Sequence, residues 1–292
     1  MKKLTCLGLS LALALGLFTG CGSSNQDQGS GSGSQSNTNG SSTVELSGTV
    51  NTDGSTSMEK VIGILSEKFM EDNKGVTITY DASGSGTGIE AVSKGSTDIG
   101  LSSRALKDSE KAKGLKETTV ALDGIAIIVN EKCPVDDLKV EEVAALFNGE
   151  AADWSKFGSN AGKVAAIGRE AGSGTRDGFE SITKTKDKCK LAQELTSTGA
   201  VIEAVKNSEA AIGYASFASV ENQKGIKVLK VNGVECNEEN ISNGSYVIQR
   251  PFNLITKEGA QLSEVAQAFF DFMTSKAAAE LIVQAGAVPT AK

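Results

Sequence analysis

The sequence predicts an α/β fold, and three observations carry that expectation. Strand-like and helix-like segments alternate, as in a sheet with helical crossovers. Gly124-Ile-Ala-Ile-Ile-Val129 is a continuous apolar run, the pattern of a strand covered on both faces. Glycine-rich loops follow strand-like segments, where open α/β sheets gather ligands.

Taken in order, Val44 to Val50 alternates as a strand and residues 51–57 form a loop. Met58 to Asn73 carries Met58, Val61, Ile62, Leu65, Phe69 and Met70 at helical spacing. Val76 to Tyr80 is a β-branched strand, Ile89 to Lys94 a short helix, and Asp98 to Ser102 a short strand ending at Ser103-Arg104. Thr118 to Asn130 holds the buried apolar run. Val140 to Phe147 is a helix closed by Asn148-Gly149. Val164 to Ile167 delivers Gly168-Arg169, and a helix runs from Gly178 to Thr183. Ala200 to Asn207 is helical, Ala210 to Phe217 is a strand, and Val228 and Val231 flank another. Tyr246 to Pro251 reads as a connecting strand and Phe252 to Thr256 as a further one. Ser263 to Thr274 and Ala277 to Ala285 are closing helices. No internal repeat is present.

The ends of the chain carry a different kind of signal. Lys2 and Lys3 precede an apolar stretch from Leu7 to Phe18, too short to span a bilayer and right for a secretory signal. It runs into Leu17-Phe-Thr-Gly-Cys21, which resembles the bacterial lipobox. The resemblance implies cleavage after residue 20, a lipid on Cys21 and a place on the outer face of a membrane. Gly22 to Ser42 is Gly, Ser, Asn, Gln and Thr with Asp27 its only charge, so it is expected to be a flexible tether. Its root-mean-square reach is roughly 25 Å.

From Thr43 onward the chain is long enough for one large domain or two lobes with good cores. The net charge is −7, and −9 once the two signal lysines are gone. An acidic chain is a poor nucleic-acid binder. Histidine is absent, and Cys133, Cys189 and Cys236 match no metal spacing. Zinc sites and histidine acid–base chemistry are therefore unsupported, no cofactor is expected, and buried free thiols are the default for the three cysteines.

Three loops share one pattern: Ser55-Thr-Ser-Met58, Ser83-Gly-Ser-Gly-Thr-Gly88, and Gly172-Ser-Gly-Thr175 after Arg169. Each places hydroxyls and glycines before a helix. Such loops aim N–H groups and a positive helix end at one point, which suits a tetrahedral oxyanion. Arg169 adds a side chain whose fork matches phosphate. Any one loop alone is more simply an N-cap. Phosphate keeps a proton at neutral pH and sulfate does not, so a phosphate-selective site gains from an acceptor. Asp123, Glu170, Asp177 and Asp81 are the candidates, each with a solvated surface role as the plainer reading. A hydrolase is disfavoured: no histidine, no metal-spaced carboxylates, no Gly-x-Ser-x-Gly and no P-loop lysine are present.

Gly54-Ser-Thr-Ser-Met58, Gly84-Ser-Gly-Thr-Gly88, Asp98-Ile-Gly-Leu-Ser-Ser-Arg104, Gly168-Arg-Glu-Ala-Gly-Ser-Gly-Thr-Arg176 and Ala211-Ile-Gly-Tyr214 together resemble the phosphate-binding lipoproteins of Pst-type ABC importers. The likeness runs from about Val44 to the end. It implies a type II periplasmic-binding-protein fold, two α/β lobes with the ligand cleft between them. Lobe one would comprise residues 43–125 plus 251–292, and lobe two residues 126–250. It also implies a non-enzymatic receptor that hands phosphate to a membrane permease driven by cytoplasmic ATPase subunits. A receptor for sulfate, molybdate or another tetrahedral oxyanion, and a sensor or adhesion module, are the alternatives. The implied contacts are Ser57, the Met58 N–H, Ser85, Ser103, Arg169, Ser173, Gly174 and Thr175, with Thr56 and Asp123 as further candidates. Ser103 stands where the best-known members carry an aspartate that accepts the phosphate proton. Ala171 stands where they carry an acidic partner for the arginine, a part Glu170 is placed to take. Ser103 or a nearby carboxylate, Asp123 first, is the expected proton acceptor.

Overall fold

A computed structural model describes residues 45–291, so the signal segment, Cys21 and the tether lie outside the described residues. The chain opens with β1 (Ser47–Gly54), a 3-10 turn over Thr56–Met58, α1 (Glu59–Asp72), β2 (Gly75–Asp81), α2 (Ser85–Lys94) and β3 (Ile99–Ser102). The parallel pairs β1–β2 and β1–β3 make a βαβ layer whose loops all emerge at one sheet end. α1 turns Val61, Ile62, Leu65 and Phe69 inward and ends where Asn73 caps the Phe69 carbonyl.

A short α3 (Asp108–Lys111) leads to β4 (Leu115–Asn130), the longest strand. Then come β5 (Asp137–Leu138), α4 (Val140–Asn148), β6 (Ala165–Arg169), α5 (Gly174–Thr183), β7 (Gln193–Leu195), α6 (Thr198–Lys206) and β8 (Ala211–Ser216). α7 (Phe217–Val220), β9 (Ile226–Val228), β10 (Lys230–Val231) and α8 (Glu238–Ser242) precede β11 (Gln249–Lys257). α9 (Glu264–Thr274), α10 (Ala279–Gln284) and β12 (Val288–Pro289) close the chain.

The main sheet runs β2-β1-β3-β11-β4-β8-β6-β7. β4 ties it together. Its first part pairs antiparallel with β11 up to Gly124, and from Ile125 it pairs with β8 and β9. Two large hydrophobic cores lie on either side of that change of partner. One gathers Val50, Met58, Ile62, Leu65, Leu101, Val120, Phe252, Leu254 and Phe269. The other gathers Ile125–Val129, Phe147, Trp154, Phe179, Ile212 and Tyr214. This is the two-lobed α/β architecture, with β4 and β11 as the strands that cross between lobes.

Some elements differ from the sequence expectation for identifiable reasons. α2 starts at Ser85 instead of Ile89, and α5 at Gly174 instead of Gly178. Their glycines are packing positions inside the first helical turn. A Cβ on Gly88 would lie 2.3 Å from the Asp53 carbonyl oxygen, and one on Gly174 2.4 Å from Ser85 Oγ. Tyr246–Pro251 and Phe252–Thr256 are not two strands; Gln249–Lys257 is one, with a register shift between Phe252 and Asn253. Short β7 and β12 carry no sequence signal of their own. Cys133 and Cys236 are buried free thiols and Cys189 is half-buried. Among the described residues no helix is long and apolar enough to cross a membrane.

Candidate anion-binding site

β1 and β3 run parallel in one half of the sheet and β6 runs antiparallel to them in the other, so all three end toward the point where β4 changes partner, and the loops that follow them meet. The loop after β1 contributes Ser55, Thr56 and Ser57. Ser103 follows β3. Ser85 opens α2, Thr175 lies in the first turn of α5, and Thr198 opens α6. All these side chains are buried.

Their hydroxyls form two clusters, joined where the Ser57 N–H donates to Ser55 Oγ at 3.3 Å. Ser57 Oγ lies 2.8 Å from Thr175 Oγ1 and 3.0 Å from Thr198 Oγ1. Thr56 Oγ1 lies 3.1 Å from Thr198 Oγ1. Ser55 Oγ donates to Ser103 Oγ at 2.8 Å, and Ser85 Oγ lies 3.2 Å from Ser103 Oγ. The Ser103 N–H donates to Ser85 Oγ at 3.1 Å. The pairs of Ser57 and Thr56 with Thr175 and Thr198 join residues more than a hundred positions apart, from loops that flank the two different cores. Gly174 sits where Ser85 and Ser103 press closest, and a side chain there would collide with both.

Arg169, 1% exposed, closes the network. Its Nη1 donates to Thr56 Oγ1 at 3.0 Å and Thr198 Oγ1 at 3.2 Å. Its Nε and Nη2 donate to the carbonyls of Leu195 and Thr196. The carboxylate it meets, Glu170, stands 3.8 Å away and is partly exposed. Burial pulls the guanidinium below its ordinary value, with Glu170 opposing. A buried cation whose donors end on neutral oxygens is electrostatically suited to an anion. The first turns of α2, α5 and α6 add N–H groups without intrahelical partners and positive dipole ends.

The remaining candidates are placed differently. The Ser173 hydroxyl caps α5, accepting from the Arg176 N–H at 3.3 Å. The Met58 side chain lies in a core, and its N–H closes the 3-10 turn onto Ser55 O at 3.0 Å. Asp123 is fully buried but not in the hydroxyl network. Its Oδ2 accepts from Arg250 Nη2 at 3.0 Å, and its Oδ1 from Ser216 Oγ at 2.9 Å and the Ala218 N–H at 3.2 Å. Burial pushes its pKa up to about 6 against the pull of Arg250. Arg250 reaches the network only through Nη1, which donates to the Ser103 carbonyl at 3.0 Å. Asp177 faces Arg104 and Lys107, and Asp81 is exposed at the end of β2.

Two hydroxyls in the network were not among the sequence candidates. Ser55 lies in a loop already singled out. Thr198 belongs to Thr196-Ser-Thr-Gly199, a fourth Ser/Thr–Gly segment before a helix, so the same pattern would have found it. Among the described residues, no group of three or more His, Cys, Asp or Glu could hold a metal ion.

A profile of the PBP superfamily domain matches residues 29–277. The phosphate-binding protein PstS of Bacillus subtilis is 31% identical over 234 residues, covering 79% of this chain and 76% of that protein. The phosphate-binding protein PstS of Staphylococcus saprophyticus is 33% identical over 226 residues, covering 72% and 70%. Among solved structures, a candidate phosphate ABC transporter substrate-binding protein from Clostridium perfringens, with bound phosphate, superposes with a TM-score of 0.79 at 34% identity. That match covers 83% of this chain and all of the other.

Proposed function

This chain belongs to the PstS family of phosphate-binding proteins within the PBP superfamily, and from that premise we propose that it captures inorganic phosphate outside the cell and delivers it to an ABC-type importer. One observation carries the proposal: Arg169 is buried without a close counter-charge among hydroxyls drawn from both cores. Phosphate entering the network replaces hydroxyl–hydroxyl pairs with shorter, charge-assisted bonds to its oxygens. Ser57, Ser85, Thr175 and Thr198 then donate from their hydroxyls, Arg169 from its guanidinium, and the first turn of α5 from the N–H groups of Gly174 and Thr175. Ser103 accepts the bond from the phosphate O–H. Sulfate has no proton to give there, but it meets no like charge from Ser103, so selectivity is smaller than with a carboxylate.

The lobes divide as residues 43–125 plus 251–292 and residues 126–250, and they close on the ion. Closure turns occupancy into a shape that a permease can read. A lipid on Cys21 and the tether hold the receptor at the outer membrane face.

Calorimetric titration of the purified chain, stripped of anion, tests this reading with phosphate and then sulfate. One-to-one phosphate binding, tighter than sulfate, is expected. Equal affinity for both makes the chain a general oxyanion receptor, and binding of neither overturns the proposal.

A further inference from the structure

Beside the hydroxyl network, a charged contact crosses between the lobes. Arg104 directly follows Ser103, and Asp177 comes two residues after Thr175. The Arg104 guanidinium is buried and grips Glu110 of its own lobe through both terminal nitrogens, each at 2.8 Å. That leaves its Nε facing outward across the cleft, where Asp177 Oδ2 stands 3.0 Å away. The pair lacks hydrogen-bond alignment, so its attraction is Coulombic. Lys107 Nζ reaches the same carboxylate oxygen at 3.2 Å. One carboxylate of α5 thus faces two cations of the opposite lobe. Lys107 and Lys186 border an open cavity of about 440 Å³ that dissolved salt reaches, while Arg104 Nε and Asp177 Oδ2 themselves are shielded from solvent.

We infer that Asp177 is a positioning residue, an electrostatic latch that holds the first turn of α5 against Ser85 and Ser103 and so sets how long the anion stays bound. The inference rests on the phosphate reading for its kinetic consequence, but not for its conformational one. The latch joins the chain at both loops that supply donors. Closing it brings Gly174 and Thr175 to the opposite hydroxyls without Asp177 touching the ion. The neighbouring backbone bond from the Gly86 N–H to Gly172 O, 2.9 Å long, crosses the same gap but carries no net charge. It should therefore be much less sensitive to salt.

The sign of the effect separates a latch from a bystander. A carboxylate near an anion site repels the anion through space, so removing its charge would tighten binding. A latch predicts the reverse. Stopped-flow phosphate kinetics are measured on the parent chain, Asp177→Asn and Asp177→Glu, at low and high sodium chloride. A lobe-coupling effect of ordinary size gives about a tenfold faster release for Asp177→Asn, with association changed by less than about twofold. Asp177→Glu recovers most of the loss. Salt speeds release from the parent chain and changes the Asn variant little. Small-angle scattering without phosphate provides the second arm: Asp177→Asn has a larger radius of gyration than the parent chain. Unchanged or slower release in Asp177→Asn overturns the inference. So does an equal radius of gyration. If the parent chain binds no phosphate, the phosphate reading fails and scattering alone decides the latch.

Discussion

Arg169 and Arg250 are equally hidden, at 1% and 4% exposure, yet their surroundings differ in one respect. Arg250 has a carboxylate directly opposite it in the β4–β11 ladder, Asp123, at 3.0 Å. Burial lowers Arg250 to about 10, with Asp123 holding it up. Arg169 has only neutral oxygens within hydrogen-bond reach and Glu170 at 3.8 Å. A buried cation neutralised by its own chain is structural, whereas one left among hydroxyls is complete only with an anion from outside. The two arginines also repel each other, since Arg169 helps to lower Arg250, and a bound dianion would relieve that repulsion.

The contrast breaks most sharply at Arg169. Arg169→Met removes the charge-assisted bonds to the ion, and phosphate affinity is expected to fall by about 100-fold or more. Without anion, its unfolding midpoint should shift less than that of Arg250→Met. Calorimetry on both variants reads the first effect, and thermal melts the second.

Arg250→Met inverts the pattern. It leaves Asp123 as a buried charge without a partner and should cost about 3–5 kcal/mol of stability at pH 7. The pH dependence follows from linkage. The folded-state pKa of Asp123 is already raised to about 6, and losing Arg250 raises it further. The folded variant therefore gains a proton at higher pH than the unfolded chain, which relieves the buried charge. The stability gap to the parent chain narrows as pH falls from above 7 to about 6, where the parent's own Asp123 takes up its proton, and is level below that. A gap that widens in urea melts over that range would contradict the assignment of Asp123 as the charged partner.

Gly174→Ala sharpens the comparison at the lobe contact. Its Cβ would lie 2.4 Å from Ser85 Oγ and 2.6 Å from Ser103 Oγ, so the hydroxyls must retreat. A loss of about tenfold in phosphate affinity is expected with little loss of stability, because overpacking costs about 1–3 kcal/mol and is felt only when the lobes meet. Thr198→Val is the mildest change. It removes one hydroxyl from Arg169 and Ser57, and an affinity loss of about fivefold is expected, the size of one net hydrogen bond. Titration of each variant beside the parent chain measures both.

The alternation of strands and helices and the buried run in β4 were legible in the sequence because they depend on local pattern. The starts of α2 and α5 were not. Gly88 and Gly174 read as loop residues, but each is a glycine because backbone or hydroxyl atoms lie within 2.4 Å of where a Cβ would sit. Pro251 reads as a strand break. In the sheet it pairs with β4 alone, since β3 reaches only Asn253–Ile255, so the chain continues through it. The three glycine loops pointed to the hydroxyls that the structure gathers, yet Thr198 shows the same signal and differs from an ordinary cap only through its partners in the other lobe. Asp123 was a reasonable candidate for the phosphate proton until its register opposite Arg250 was known. That pairing spans 127 residues and has no local signature.

The most direct test is a crystal structure of the phosphate complex. The account predicts phosphate oxygens within hydrogen-bond distance of Arg169, Ser57 and Thr175, with Ser103 Oγ facing the protonated oxygen and Asp123 still on Arg250. Phosphate lodged instead among Arg104, Lys107 and Lys186, with the Arg169 hydroxyl network intact, would contradict it.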